Sequence, residues 1–197
     1  MIAIKTISLD DFSCLSVNKN EVMRYLGVKE EDESFATLYE QGKSDAFSLA
    51  MPRAVYTKTE IKTDGCAVDF GFMRVNSKNL AKNLCDCKEA YIFCATLGIG
   101  MDRHFERTMR ISQARGTVFS AVASSLIESF CDYVNEELCR NLDVKPRFSC
   151  GYGDFCLEHQ RDILNVLEAN KRLGICLTDS CMMVPVKSVT AIIGIRR

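Results

Sequence analysis

Apolar residues recur at every third or fourth position in several stretches of the chain, the spacing of amphipathic helices. The predicted helices span residues 18–27, 30–50, 77–84, 101–114, 116–142 and 158–174. Asn18 and Ser77 are suitable N-cap residues, and Gly27 and Gly174 suit the position just after a helix. The longest pattern, 116–142, places one apolar stripe on a single face and therefore predicts a core helix.

Strands are predicted where the spacing changes. Residues 53–62 and 66–75 alternate apolar and polar positions around Asp64-Gly65, which predicts a hairpin. Residues 89–98 form a continuous apolar run ending at Gly98, and 187–195 are rich in β-branched residues, so both are predicted as strands. Helices interrupt the strands irregularly, which predicts an α+β fold with a mixed or antiparallel sheet flanked by helices.

Composition narrows the class of protein. Hydrophobic residues make up 47% and charged residues 26% of 197 residues, so the chain can bury a substantial core. A formal net charge of −1 argues against nucleic acid as the main partner. No apolar run approaches the roughly 20 residues that span a bilayer, and the N-terminus lacks the features of a signal peptide. We therefore expect a cytoplasmic protein without a membrane partner.

The 11 cysteines raise the question of metal or disulfide chemistry. An odd number without a secretion signal argues against a disulfide framework. Cys85-Asp-Cys87 and Cys156-Leu-Glu-His159 are the closest pairings, but neither is followed by a second pair at zinc-binding spacing. The favoured interpretation is that the cysteines act mainly as small apolar core residues.

The segment "RFSCGY" at 147–152 is the candidate for binding chemistry. Arg147 carries a planar fork that suits a carboxylate or phosphate, Gly151 permits close approach of the backbone, and Tyr152 offers a flat face with a polar tip. The alternative is structural: Arg147 ties down a loop through a salt bridge, and Gly151 makes only a turn. Spacing alone favours this alternative.

Residues 146–195 resemble the C-terminal activation domain of cobalamin-dependent methionine synthase. That family has an R-x-x-x-G-Y motif, then a cysteine and an acid-His pair, a helix, G-x-x-L-T-x-S and a P-x-x-S-V strand. The matching residues here are Arg147, Gly151, Tyr152, Cys156, Glu158, His159, Gly174, Leu177, Thr178, Ser180, Pro185, Ser188 and Val189. "LIESFCDYVNEEL" is similar to the family's L-x-E-x-F-x-x-Y helix and includes Glu128. The resemblance implies one unit over 1–197, well matched over 95–197 and weakly over 1–94.

The resemblance implies binding of S-adenosylmethionine and remethylation of inactive cob(II)alamin after a one-electron reduction. Arg147 would hold the methionine carboxylate, and the backbone at Ser149 would contact the ligand. Gly151 would permit close approach, Tyr152 would line the face towards the corrin, and Glu128 would lie near the cationic half of the ligand. A zwitterionic ligand with an extra sulfonium charge needs one cation, here Arg147, and one anion, here Glu128, held apart in the site.

The chain lacks D-x-H-x-x-G, the family motif that supplies the lower cobalamin ligand. The resemblance therefore implies a separate activation protein whose partner is a cobalamin-binding methionine synthase without its own activation domain. The sequence departs from the family pattern at two positions. Gly153 stands where proline is usual, so we expect a more mobile loop in this chain. Ile193 stands where an aromatic residue is usual. No counterpart of an aspartate from the family's N-terminal part is evident.

Two alternatives stay open. The first alternative is a non-catalytic docking module for another corrinoid protein. The second is a cysteine-rich redox or metal protein. Cys150 and Cys156 flank the candidate site, but packing is the favoured role for both, and a local hydrogen bond is favoured for His159. His104, Arg103, Arg107 and Arg110 form a basic helical face, predicted to be solvated, with a flavodoxin-like electron donor as a candidate partner.

Overall fold

The two helices with predicted N-caps begin where the sequence places them. The computed structural model describes residues 3–196. Asn18 and Ser77 each accept a hydrogen bond from a backbone N–H three residues on, and Gly27 adopts a left-handed φ of 67°. The helices are α1 Lys19–Leu26, α2 Glu33–Leu49, α3 Lys78–Asn83, α4 Gly100–Ile111, α5 Gln113–Cys139, α6 Gln160–Val166 and α7 Ala169–Leu173, with a 3-10 turn at Leu157–His159.

The strands form a central antiparallel sheet and two small ones. The strands are β1 Lys5–Ser8, β2 Arg53–Glu60, β3 Lys62–Thr63, β4 Ala67–Asp69, β5 Arg74–Asn76, β6 Cys87–Thr96, β7 Cys176–Leu177, β8 Met183–Val184 and β9 Ser188–Arg196. The central sheet has the order β1-β2-β6-β9, the second β3-β4-β5 and the third β7-β8. All pairings are antiparallel, which confirms the predicted α+β class.

Two apolar clusters lie on opposite faces of the central sheet. Along β6, Phe93 and Ala95 join the cluster packed against α1, α2, α4 and α5. Ile92 and Cys94 join the other cluster, which includes side chains of α3, α6, α7 and the three-stranded sheet. This alternation follows from the two-residue period of a strand. The predicted stripe on α5 is core, with Phe119, Val122, Leu126, Phe130 and Val134 buried.

The predicted hairpin is only partly correct. Asp64-Gly65 does turn the chain, with Gly65 at φ 85°, but the turn joins the short strands β3 and β4. The long strand β2 pairs with β1 and β6 instead. The prediction was wrong because local alternation marks a strand without specifying its partner, which long-range packing selects.

The single helix predicted over 158–174 is broken. Glu168 adopts left-handed φ 48° and ψ 37°, which separates α6 from α7. The break lets Leu167 and Leu173 reach the same buried cluster. Six residues apart on one straight helix, they would point in directions about 120° apart. Arg172 of α7 donates to the carboxylate of Glu168, the N-cap residue of the same helix, at 2.8 Å.

The division of the resemblance at residue 94 falls inside β6 and marks no structural boundary. The assignment of 1–197 to a single domain stays a prediction, and residues 1, 2 and 197 lie outside the described range. Within 3–196, no helix has the length and apolar character needed to cross a membrane.

Candidate functional site

The segment that carries Arg147 runs along the outer edge of β9. Phe148 and Ile192 exchange both backbone hydrogen bonds at 2.9 Å, and the Lys145 N–H donates to Gly194 O at 2.8 Å. Side chains alternate along extended backbone. Phe148 therefore packs with the cluster on one face of the sheet, whereas Arg147 reaches towards α5 on the other.

Arg147 is ion-paired with α5. Its Nη2 lies 3.1 Å from Oε2 of Glu128 and 3.0 Å from Oδ1 of Asp132. The two acids are four residues apart, so both lie on the same face of the helix. Nη1 of Arg147 is buried and has no hydrogen-bond partner within residues 3–196. The predicted separation of Arg147 from Glu128 is therefore absent here, and the salt-bridge alternative describes the observed contacts.

Burial raises the pKa of Glu128 above its usual value. The Arg147 charge lowers this pKa, whereas the negative charges of Asp132 and Glu21 raise it further. A carboxylate in this setting gains from any additional cation that enters the site.

Helix α1 contributes an acid that the sequence did not reveal. The Asn18 N–H donates to Ser125 Oγ at 3.0 Å, and this hydroxyl donates to Glu21 Oε2 at 3.0 Å. The Tyr25 hydroxyl donates to the other Glu21 oxygen at 2.8 Å, and burial together with this bond raises the pKa of Tyr25 to about 12. Glu21 thus supplies an N-terminal acid beside α5. The apolar spacing and the caps at Asn18 and Gly27 predicted this helix but not the contact of Glu21 with α5.

Two clefts meet at Glu128, Arg147 and Tyr152. The first cleft has a volume of about 730 Å³ and the second about 390 Å³. The first is lined by Ser16, Asn18, Asn20, Glu21, Arg24, Tyr25, Ser125, Glu128, Ser129, Asp132, Arg147 and Tyr152. The second is lined by Glu128, Arg147, Ser149, Cys150, Tyr152, Gln160, Met183, Ser188, Val189 and Thr190. The structure therefore brings together four of the five predicted site residues.

Gly151, the fifth, lies outside both linings and shapes the loop. It adopts φ 89°, a left-handed conformation that favours glycine. Its N–H donates to Phe155 O at 2.8 Å, and the Tyr152 N–H donates to Ser149 O at 3.3 Å. These amides are engaged within the turn, as the structural alternative anticipates. A ligand contact at Gly151 stays a prediction.

Both departures from the family pattern have a structural reason. Gly153 adopts φ 57°, and a Cβ there would overlap Nδ2 of Asn79. Ile193 is fully buried in the cluster between the sheet and α5, so its side chain packs in the core and lines neither cleft. The start of β9, at Ser188–Thr190, lines the second cleft instead.

The cysteine and histidine predictions have mixed outcomes. Burial raises the pKa of Cys150 to about 12, which opposes a reactive thiolate, whereas Cys156 is exposed. His159 makes the predicted local contact, with Nδ1 3.3 Å from Asp162. Six of the 11 cysteines are buried, so packing accounts for about half of them. Within 3–196, no group of three His, Cys, Asp or Glu side chains is arranged to hold a metal ion.

The basic face of α4 is smaller than predicted. Arg103, Arg107 and Arg110 are exposed. His104 instead turns towards the core, with Nε2 3.2 Å from Asp45 and its ring 4.5 Å from that of Phe119. Assigning His104 to the solvated face was therefore wrong, because its ring packs on the apolar stripe of α5.

Comparison with known proteins identifies the fold. No protein-family model and no curated protein matches the sequence. Among solved structures, this chain is similar to the MetH reactivation domain bound to AdoHcy, with a TM-score of 0.70. The match covers 98% of this chain and 78% of that one at 14% sequence identity. The chain therefore has the fold of the MetH reactivation domain.

Proposed function

We propose that this chain binds S-adenosylmethionine where the two clefts meet. Acting in trans, it would support the reductive remethylation of cob(II)alamin on a cobalamin-dependent methionine synthase that lacks its own activation domain. It would be an accessory component of that methyltransferase and not a complete enzyme. The observation that carries this proposal is Arg147 beside Glu128 at the junction of the clefts, in a chain with the reactivation-domain fold.

The charges of the site suit the ligand. S-adenosylmethionine carries one carboxylate, one ammonium and one sulfonium. The guanidinium fork of Arg147 matches the carboxylate. Its buried Nη1 has no hydrogen-bond partner among residues 3–196 and is a donor that the ligand would satisfy. Glu128 and Glu21 both line the first cleft, and they would face the ligand's cationic groups. We assign Glu21 the role expected of the missing N-terminal acid.

Binding requires the Arg147 ion pairs to loosen. The Glu128 and Asp132 side chains are 43% and 69% exposed, and ion pairs this exposed contribute about 0–1 kcal/mol each. A ligand that supplies both an anion for Arg147 and cations for the two acids replaces these contacts at little net cost. The observed salt bridges are therefore compatible with ligand binding.

The corrin belongs to the partner protein. After a one-electron reduction of cob(II)alamin, the partner's cobalamin would supply a nucleophilic cobalt, and this chain would hold the methyl donor in line with it. Tyr152 is 67% exposed at the edge shared by both clefts, and it would face the corrin. The basic face formed by Arg103, Arg107 and Arg110 would receive an acidic, flavodoxin-like electron donor.

The first experiment is a calorimetric titration with S-adenosylmethionine, for which we expect saturable one-to-one binding. The second adds the protein to a methionine synthase truncated before its activation domain and oxidised to cob(II)alamin, with a flavodoxin donor. Recovery of the methylcobalamin absorbance only when this chain is present supports action in trans. S-adenosylmethionine binding without recovery of methylcobalamin would contradict the activation role but not the binding role.

A docking module for another corrinoid protein is the second candidate. The ion pair between Arg147 and Glu128 and the burial of Ile193 favour it. A ligand site that has lost its function would need neither a free guanidinium nor an aromatic contact. Capture of a corrinoid protein without detectable S-adenosylmethionine binding would support this candidate. Stoichiometric zinc or iron in anaerobically purified protein would instead support a cysteine-rich redox or metal protein.

A further inference from the structure

Asp132 gives the first cleft a carboxylate that no sequence motif anticipates. It occupies a variable position of L-x-E-x-F-x-x-Y, yet its distance to Arg147, 3.0 Å, matches the 3.1 Å of Glu128. Asp132 lies one turn beyond Glu128 on α5 and is the more exposed of the two. It is therefore the outer acid of the ion-paired group.

The first cleft contains more acids than bases. Glu21, Glu128 and Asp132 line it together with two cations, Arg147 and Arg24. Arg24 has a 73% exposed side chain 3.4 Å from Glu21, so water screens much of its charge. If a ligand carboxylate occupies Arg147, then Glu128 and Asp132 lose the cation that they share. The occupied cleft then favours a ligand that brings more than one positive charge.

We propose that Asp132 makes the cleft select the cationic sulfonium nucleoside over its neutral thioether product. This inference rests on the proposed function. S-adenosylmethionine has a net charge of +1, whereas the thioether, S-adenosylhomocysteine, is neutral overall. If the sulfonium binds about 6 Å from the Asp132 carboxylate, this carboxylate favours the charged ligand roughly 3- to 10-fold at an effective dielectric constant of about 40 to 80.

This selectivity has a consequence for turnover. When the methyl group transfers to the reduced cobalt of the partner's cobalamin, the cobalt would supply the electron pair of the new Co–C bond. The pair of the broken C–S bond would stay on sulfur, and the sulfonium charge would disappear. The attraction to Asp132 and Glu128 is lost in the same step. The product is then held less tightly than the methyl donor that replaces it.

The test compares two nucleosides in two variants. Asp132→Asn removes the outer acid, and Glu136→Gln removes an exposed acid one turn further along α5, outside the cleft lining. Calorimetry gives the ratio of the S-adenosylhomocysteine Kd to the S-adenosylmethionine Kd. Freeing Arg147 helps both ligands equally, so the ratio isolates the sulfonium effect. We expect it to fall about 3- to 10-fold in Asp132→Asn and to stay within twofold in Glu136→Gln.

An analogue with an ammonium group in place of the methylsulfonium separates charge from methyl contacts. We expect its affinity relative to S-adenosylhomocysteine to fall in Asp132→Asn by a factor similar to that for S-adenosylmethionine. A ratio unchanged by Asp132→Asn would overturn the inference and leave the proposed function standing. Failure of the wild-type protein to bind either nucleoside would overturn the proposed function, and the inference with it.

Discussion

Replacing Arg147 by alanine separates a binding role from a loop-anchoring role. The change removes two ion pairs whose acids are 43% and 69% exposed, so each contributes about 0–1 kcal/mol. The free energy of unfolding should therefore fall by only about 1 kcal/mol, and the protein should stay folded. The loss in S-adenosylmethionine binding should be larger, about 2–4 kcal/mol, because the ligand carboxylate loses its charged partner.

This loss corresponds to a roughly 30- to 1000-fold increase in Kd. Calorimetric titration measures it, and urea denaturation of the same sample measures stability. Arg147→Lys is the matched control: it keeps the charge but loses the fork, so its Kd should lie between those of Arg147→Ala and the wild type. A folded Arg147→Ala protein with a Kd within twofold of the wild type would refute the assignment of Arg147 as the carboxylate anchor.

The remaining predictions concern the site's supports and its titration. Ser125→Ala should lower the free energy of unfolding by about 1–3 kcal/mol in urea denaturation, since it leaves the Asn18 N–H and Glu21 without their shared partner; an unchanged midpoint would contradict this. Because the pKa of Glu128 is raised from 4.5, its contribution to stability is complete below pH 4.5 and is lost as pH rises through the raised pKa. Glu128→Gln should therefore lose less stability than the wild type between pH 4 and pH 7, and parallel pH profiles would refute the raised pKa. Finally, a colorimetric thiol reagent should modify five cysteines quickly in the native protein and the other six only after denaturation. The five exposed cysteines are Cys14, Cys66, Cys85, Cys156 and Cys176.

The candidate site shows where reasoning from sequence stops. Arg147, Tyr152 and Glu128 were predicted from motifs, and the structure brings all three to the junction of two clefts. Glu21 was missed because it sits on a short helix whose apolar spacing and caps do not reveal its contact with α5. Asp132 was missed because it looks like any exposed acid on an amphipathic helix.

The helix break between α6 and α7 and the pairing of β2 were also missed because both depend on distant contacts. Leu167 and Leu173 gave no local sign of a helix break, since neither glycine nor proline lies between them. The break lets both leucines enter one buried apolar cluster, and this cluster forms only when α6 and α7 pack against the sheet. Likewise, the alternation in β2 was correct, but its partner β6 begins 27 residues after β2 ends.

The sequence by itself determined five of the six predicted helices, the caps at Asn18 and Ser77, the buried strands β6 and β9 and the α+β class. These follow from the spacing and conformational preferences of neighbouring residues. Tertiary structure alone decided which charges meet. Glu21 and Ser125 are 104 residues apart, and Arg147 is 19 residues from Glu128. Such contacts depend on how helices and strands pack. Packing minimises the free energy of the whole core, so the residues next to each charge in the sequence do not show which distant charge it will contact.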